Sequence, residues 1–204
     1  MRTSLLLVLI LMSGITDRES RCFAYAREQG RDDSCGLQAL ACFLDLYWDM
    51  PAGEDGLFAD LVSALAARGG GARDPGLRSV SLGDLRLILE GRGFAAEAYK
   101  MGFEGLVRAS ATYAPLLIHY DRPRGHFVVL VGALAEGVVV ADPASGLLFL
   151  TRRDFEARWS GAVLLARLPG REPDGRIMDS ALSAALEPAT LLRDTAAFAR
   201  RLRF

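Results

Sequence analysis

The chain has 204 residues, enough for one domain with a sizeable core plus short extensions. Apolar residues make up 51% and charged residues 24%, and the net charge is −1, so nothing directs the chain to nucleic acid or to an acidic membrane surface. No P-loop or dinucleotide fingerprint occurs, and Cys22, Cys35 and Cys42 form no CxxC pair, which argues against zinc knuckles and thioredoxin-type motifs.

Met1-Arg2 brings one positive charge, Leu5 to Met12 is an unbroken apolar run, and the stretch from Thr16 to Cys22 turns polar. This is the plan of a short signal peptide over residues 1–20, because a bilayer span needs about 20 apolar residues. A buried N-terminal segment is the bland alternative. On the signal plan the protein is exported, with a domain over 21–169 and a C-terminal tail over 170–204.

Leu37, Leu40, Ala41, Leu44 and Tyr47 recur at helical spacing, so a helix starts at Cys35 and buries that face, with Pro51 and Gly53 beyond its end. A second helix is predicted from Leu57 to Ala67 with Leu57, Leu61, Val62 and Leu65 inward, and Gly69-Gly70-Gly71 breaks it. That glycine run reads as a loop rather than a self-cleavage site. Ser81 and Asp84 form a capping box that opens a third helix, which Gly93 ends. Strands follow at Phe94–Lys100, Pro115–Tyr120, Phe127–Val131, Val138–Ala141, Leu147–Leu150 and Ala162–Leu168, with a short helix over Phe103–Ala109. Thr151 and Asp154 cap another short helix ending near Trp159, and the tail holds helical stretches over 179–187 and 190–203. Helices first and an antiparallel sheet later make an α+β fold. The basic end Arg200-Arg201-Leu202-Arg203 reads as a solvated helix terminus more readily than as a docking site.

Cys35 is the residue that could carry chemistry. A helix N-terminus lowers a thiol pKa through free backbone N–H groups and the helix dipole. Asp32-Asp33-Ser34-Cys35-Gly36 supplies that setting, with Ser34 as N-cap and Gly36 allowing close substrate approach. A small buried hydrophobe is the commoner fate of a lone cysteine. Cys42 lies two turns along, roughly 10 Å away, which is too far for a disulfide and marks it as a core residue. Cys22 stays unassigned.

With two histidines in the chain, the choice of base is nearly forced. His126 opens a strand after the Gly125 turn, whereas His119 sits late in its strand and reads as structural. A hairpin centred near Leu134 sets His126 opposite Asp142, to within one or two residues of register, where a carboxylate can orient an imidazole. Pro143 ends the ladder and leaves Asp142 at the rim. A helix-start cysteine with a hairpin presenting His and Asp is a Cys-His-carboxylate set. Gln29, six residues before Cys35, can fold back to donate to an oxyanion alongside the Cys35 backbone N–H.

These residues, in this order, resemble the bacteriocin-processing family of cysteine peptidases, which cut leaders after Gly-Gly and share a papain-like fold. Gln29 to Gly36 looks like the family's Gln-x4-acid-Cys-Gly signature, with Ser34 where an acidic residue is usual. Gly125 to Leu130 looks like its histidine strand, and Asp142-Pro143-Ala144-Ser145-Gly146 like its Asp-Pro turn. The likeness runs from about Gln29 to Leu168. It implies catalysis by Cys35, His126, Asp142 and Gln29 with no metal or organic cofactor. It also implies a helical N-terminal half packed on an antiparallel sheet.

The family's exporter-linked members carry transmembrane and ATPase domains, and this chain reads instead as a stand-alone peptidase with its own signal. That plan is similar to the periplasmic member that accompanies functional-amyloid (Fap) secretion systems of Gram-negative bacteria. The expected substrate is an exported polypeptide and the expected location the periplasm, with a membrane secretion component as a further partner and no nucleic acid. The alternative is a peptidase-like module that holds an exported polypeptide at a secretion pore without cutting it. A papain-like cell-wall amidase is the third reading, though nothing here resembles a glycan-binding module.

Overall fold

Leu37, Leu40, Ala41, Leu44 and Tyr47 are all fully buried on the first helix, α1 (Cys35–Trp48), as their spacing predicts. The computed structural model describes residues 34–69, 79–121 and 125–187. The expected signal segment 1–20, Cys22, Gln29, Gly70, Gly71 and the stretch 190–203 expected to be helical lie outside the described residues. Helix α1 stops at Asp49, which takes a left-handed conformation (φ 49°), and Met50 N–H then bonds the Leu44 carbonyl at 2.9 Å.

Helix α2 (Glu54–Ala67) buries Leu57, Phe58 and Leu61. Val62 is 38% exposed, so the inward stripe is rotated toward Phe58 from the one its spacing predicts. Helix α3 (Leu82–Gly91) opens on the complete Ser81–Asp84 capping box, each side chain bonding the other's backbone N–H. Gly93 follows with φ 89°, a conformation that suits glycine.

Six strands form one sheet: β1 (Ala95–Lys100), β2 (Leu116–Tyr120), β3 (His126–Ala133), β4 (Gly137–Asp142), β5 (Gly146–Thr151) and β6 (Trp159–Arg167). Their order across the sheet is β1-β6-β2-β3-β4-β5, and every pairing is antiparallel. Helix α4 (Phe103–Tyr113) links β1 to β2, and α5 (Arg152–Glu156), capped by Thr151, links β5 to β6. Trp159 begins β6 rather than closing α5, because its backbone already pairs with Tyr120 of β2.

Strand alternation divides the interior in two. Val129, Val131, Val139 and Ala141 join the core made with α1, α2 and α3. Val128, Leu130, Val138 and Val140 join a second core with Phe103 and Leu106 of α4 and Phe155 of α5. The fold is therefore α+β, with the N-terminal helices packed on one face of an antiparallel sheet. Helix α6 (Gly175–Leu186) starts earlier than the 179 read from sequence, with Asp174 accepting N–H bonds from Arg176 and Ile177. It lies on the first core: Ala181 and Ala185 are fully buried, and Asp174 N–H bonds the Tyr47 carbonyl at 2.7 Å.

Candidate active site

Cys35 is the first residue of α1 and is half-buried. The N–H groups of a helix's first turn have no intrahelical acceptor, so they face whatever lies at the helix start. Ser34 occupies the N-cap position but makes no cap bond, and it is completely buried. Gly36 has a packing role besides the substrate approach expected from sequence. A Cβ there would meet Val80 Cγ2 at 2.3 Å and the Phe127 ring at 3.1 Å. Only a residue without a side chain lets the start of α1 press this closely onto the start of β3.

His126 opens β3 and Asp142 ends β4. Their register differs from direct opposition. Leu134 and Gly137 exchange backbone bonds around Ala135 and Glu136, so the hairpin centres beyond Leu134. An irregularity between Leu130 and Gly132 shifts the ladder again, and it then runs Leu130↔Val140 and Val129↔Ala141. Continued one step, that register sets Asp142 opposite Val128, diagonal to His126 on the same face. Diagonal neighbours remain within reach of long side chains.

The contact is made: His126 Nε2 and Asp142 Oδ1 are 2.8 Å apart. Asp142 Oδ1 also accepts the Ala144 N–H at 2.8 Å, and the Ser145 N–H bonds the Asp142 carbonyl at 3.1 Å. The Asp-Pro turn therefore holds the carboxylate that the histidine uses, so its turn role and its site role are one arrangement. Asp142 is only 7% exposed, more covered than a rim position implies. With Nε2 on the carboxylate, Nδ1 is left for the Cys35 thiol, which hydrogen-bonds the His126 side chain.

Burial disfavours charge on both groups, yet both gain it. For the Cys35 thiol, burial pushes the pKa up. The bond to His126, the Phe127 N–H, the imidazole charge and the Gly36 N–H outweigh burial and bring the thiol below its ordinary value. For His126, burial pushes down, while the bonds to Asp142 and Cys35 and their charges raise it from 6.5 to about 9. Both shifts favour the proton on the imidazole over the sulfur, toward a thiolate beside an imidazolium. Such a pair can attack a carbonyl carbon and then protonate a leaving amine.

The structure thus brings Cys35, His126 and Asp142 together, while Gln29 lies outside the described residues. His119 does not join them: its ring packs on Phe127 with centroids 4.8 Å apart. Cys42 is fully buried in the first core. One neighbour escaped the sequence reading. Tyr120 pairs directly with His126 across the β2–β3 ladder, and its place just before the turn into His126 was the available signal.

The model of the peptidase C39 family matches residues 73–169, which hold His126 and Asp142 and begin after Cys35. The probable functional amyloid protease FapD of Pseudomonas fluorescens is 30% identical over 175 residues, covering 83% of this chain and 72% of the relative. The protein of the same name from Pseudomonas aeruginosa is 29% identical over 149 residues, and 61% of its length is covered. Among solved structures, a double glycine motif protease from an AMS/PCAT transporter, in complex with the leader peptide, superposes with a TM-score of 0.54. It is 23% identical, and the match covers 69% of this chain and 89% of that one. The peptidase domain of Streptococcus ComA gives a TM-score of 0.55 at 15% identity, covering 71% and 98%. These two structures support the papain-like fold. The sequence relatives carry the rest, and on them this peptidase belongs to the peptidase C39 family.

Proposed function

We propose that the chain is an exported cysteine endopeptidase that processes a secreted polypeptide with Cys35, His126 and Asp142. The observation that carries this reading is one imidazole bonded on one side to a buried carboxylate at 2.8 Å and on the other to a helix-start thiol. The Cys35 thiolate adds to the scissile carbonyl, and the carbonyl oxygen gains the negative charge. Gln29 and the Cys35 backbone N–H donate to that oxyanion. Collapse of the intermediate expels the amine, which takes its proton from His126. His126 then removes a proton from water, the hydroxide attacks the thioester, and the acid product leaves as the thiolate re-forms. Asp142 keeps the imidazole oriented and stabilises its charged form throughout.

The relatives' names support the substrate class: a functional amyloid protease, and a protease that binds a double glycine leader peptide. The chain accordingly acts on an exported polypeptide, at a Gly-Gly type site or within amyloid or fimbrial secretion. A membrane secretion component is its expected docking partner. The signal plan read over residues 1–20 supports a periplasmic location for this work.

Cys35→Ala is the direct test. Purified wild-type protein should cut an exported amyloid-type polypeptide, and the variant should give no product while keeping the circular dichroism of the wild type. Turnover that survives the substitution would sink the mechanism. Binding of the polypeptide without any product from the wild type would favour a holding module instead.

A further inference from the structure

Tyr120 closes β2 directly opposite His126, so both side chains leave the same face of the sheet. Their rings lie 6.3 Å apart. On its other side Tyr120 pairs with Trp159 of β6, and Phe155 packs against both rings at 5.9 and 5.1 Å. The phenol is walled in, at 3% exposure, and its hydroxyl has no hydrogen-bond partner among the described residues. A buried hydroxyl without a partner is costly, and phenylalanine would fill the same space without that cost. Packing explains the ring and leaves the oxygen unexplained.

Among the described residues, the titratable and charged groups at this corner are His126 across the ladder with Cys35 and Asp142 bonded to it, Arg158 before β6, and His119 with Asp121 beside it. Burial first, and then the Asp142 charge, hold the phenol proton far above the usual tyrosine range, with Arg158 pulling the other way. The hydroxyl therefore stays a neutral dipole within the field of the carboxylate.

We propose that Tyr120 is a positioning residue whose hydroxyl turns its positive end toward Asp142 and limits how tightly that carboxylate holds the proton on His126. This rests on the thiol–imidazole–carboxylate reading above. When His126 gives its proton to the leaving amine, Asp142 loses the opposite charge beside it. The phenol dipole stabilises the carboxylate at that moment and eases the transfer. Without it, Asp142 depends more on the imidazolium, and His126 becomes a weaker acid.

The test is Tyr120→Phe in the full chain, which keeps the ring and its packing. Imidazole nitrogen NMR reads His126 directly, because the chain has two histidines and His119→Gln assigns them. The expected result is a His126 midpoint raised by about half a pH unit or more, a threefold change in proton affinity. Along with it, kcat should fall severalfold while KM stays put. A Tyr120→Phe protein whose titration and kcat superpose on wild type, or whose midpoint falls, overturns the inference and leaves the peptidase reading standing. A wild-type His126 that titrates at its ordinary value, with a Cys35 that alkylates only in the ordinary thiol range, overturns both.

Discussion

His119 and His126 stand on neighbouring strands of one ladder and meet opposite electrostatic fates. Burial lowers the proton affinity of each. His119 faces Asp121 across 3.5 Å, and that carboxylate side chain is 60% exposed. His126 faces Asp142 across 2.8 Å, and that side chain is 10% exposed. In the first case burial wins and the imidazole is pushed down; in the second the partners win and it is raised to about 9. The difference lies in the carboxylate's surroundings as much as in the histidine's. Water screens an exposed acid, whereas a desolvated acid fixed by a backbone N–H acts at full strength. The charge on His126 also pushes His119 further down, so the two histidines stay distinct.

Replacing each histidine should widen this contrast most. His126→Ala is expected to lower kcat/KM roughly a thousandfold or more, the loss typical of a triad base. With the imidazole gone, the Phe127 and Gly36 N–H groups alone oppose burial, so alkylation of Cys35 should move to higher pH than in the wild type. His119→Gln should stay within about threefold of wild type, because its ring packs on Phe127 and faces the exposed Asp121 without meeting Cys35. Steady-state kinetics and the pH profile of alkylation on both variants decide the matter. Equal losses would move the base to His119 and break the comparison.

Changing Asp142 should make His126 resemble His119. Asp142→Ala removes both the imidazole contact and the Ala144 turn bond, and should cost about a hundredfold or more in kcat. Asp142→Asn keeps an oxygen that can accept from Ala144 and from the ring, and should cost less. The amide carries no charge, so the His126 pKa should fall from about 9 toward 6.5. Because the folded pKa is the raised one, the imidazolium form persists as pH rises to about 9 and is lost above it. The alkaline limb of kcat/KM should therefore move to lower pH in Asp142→Asn. The same group's contribution to stability is complete below about 6.5 and fades as pH rises through 9. An unmoved alkaline limb would mean that the carboxylate's charge does not set the histidine.

Much of this site was legible because its signals are local. A cysteine at the edge of an apolar helical pattern places itself at a helix start, and Asp-Pro after a valine run places an acid at a strand end. Capping at Ser81 and Thr151 is equally local, since each bond spans three residues. The register was less legible. The irregularity at Val131 shifts the ladder by one residue, and Gly132 beside it was the one local mark of a bulge. Tyr120 was missed because its meaning comes from a neighbour across the sheet, and its aromatic ring looks like any strand residue. Val62 was placed inward by spacing alone, while the packing of α2 against α1 and α3 selected Phe58.

Gly36 separates two readings of the residue beside the thiol, and its effect should be the smallest of these. A Cβ at this position meets Val80 Cγ2 at 2.3 Å, and Val80 is itself nearly buried at 9% exposure. Gly36→Ala should therefore destabilise by about 1–2 kcal/mol, the cost of overpacking less the gain of alanine in a helix. Turnover should fall with it, because relieving the clash displaces the first turn of α1 and Cys35 along with it. Val80→Ala removes the closest atom and should restore part of both losses when combined with Gly36→Ala. The recovery stays partial because the Phe127 ring remains at 3.1 Å. A thermal-denaturation cycle of the two single variants and the double measures the coupling. If Gly36→Ala melts like wild type yet loses activity that Val80→Ala cannot restore, the glycine serves substrate approach. The close contact between helix start and strand start would then be incidental to the thiol's placement.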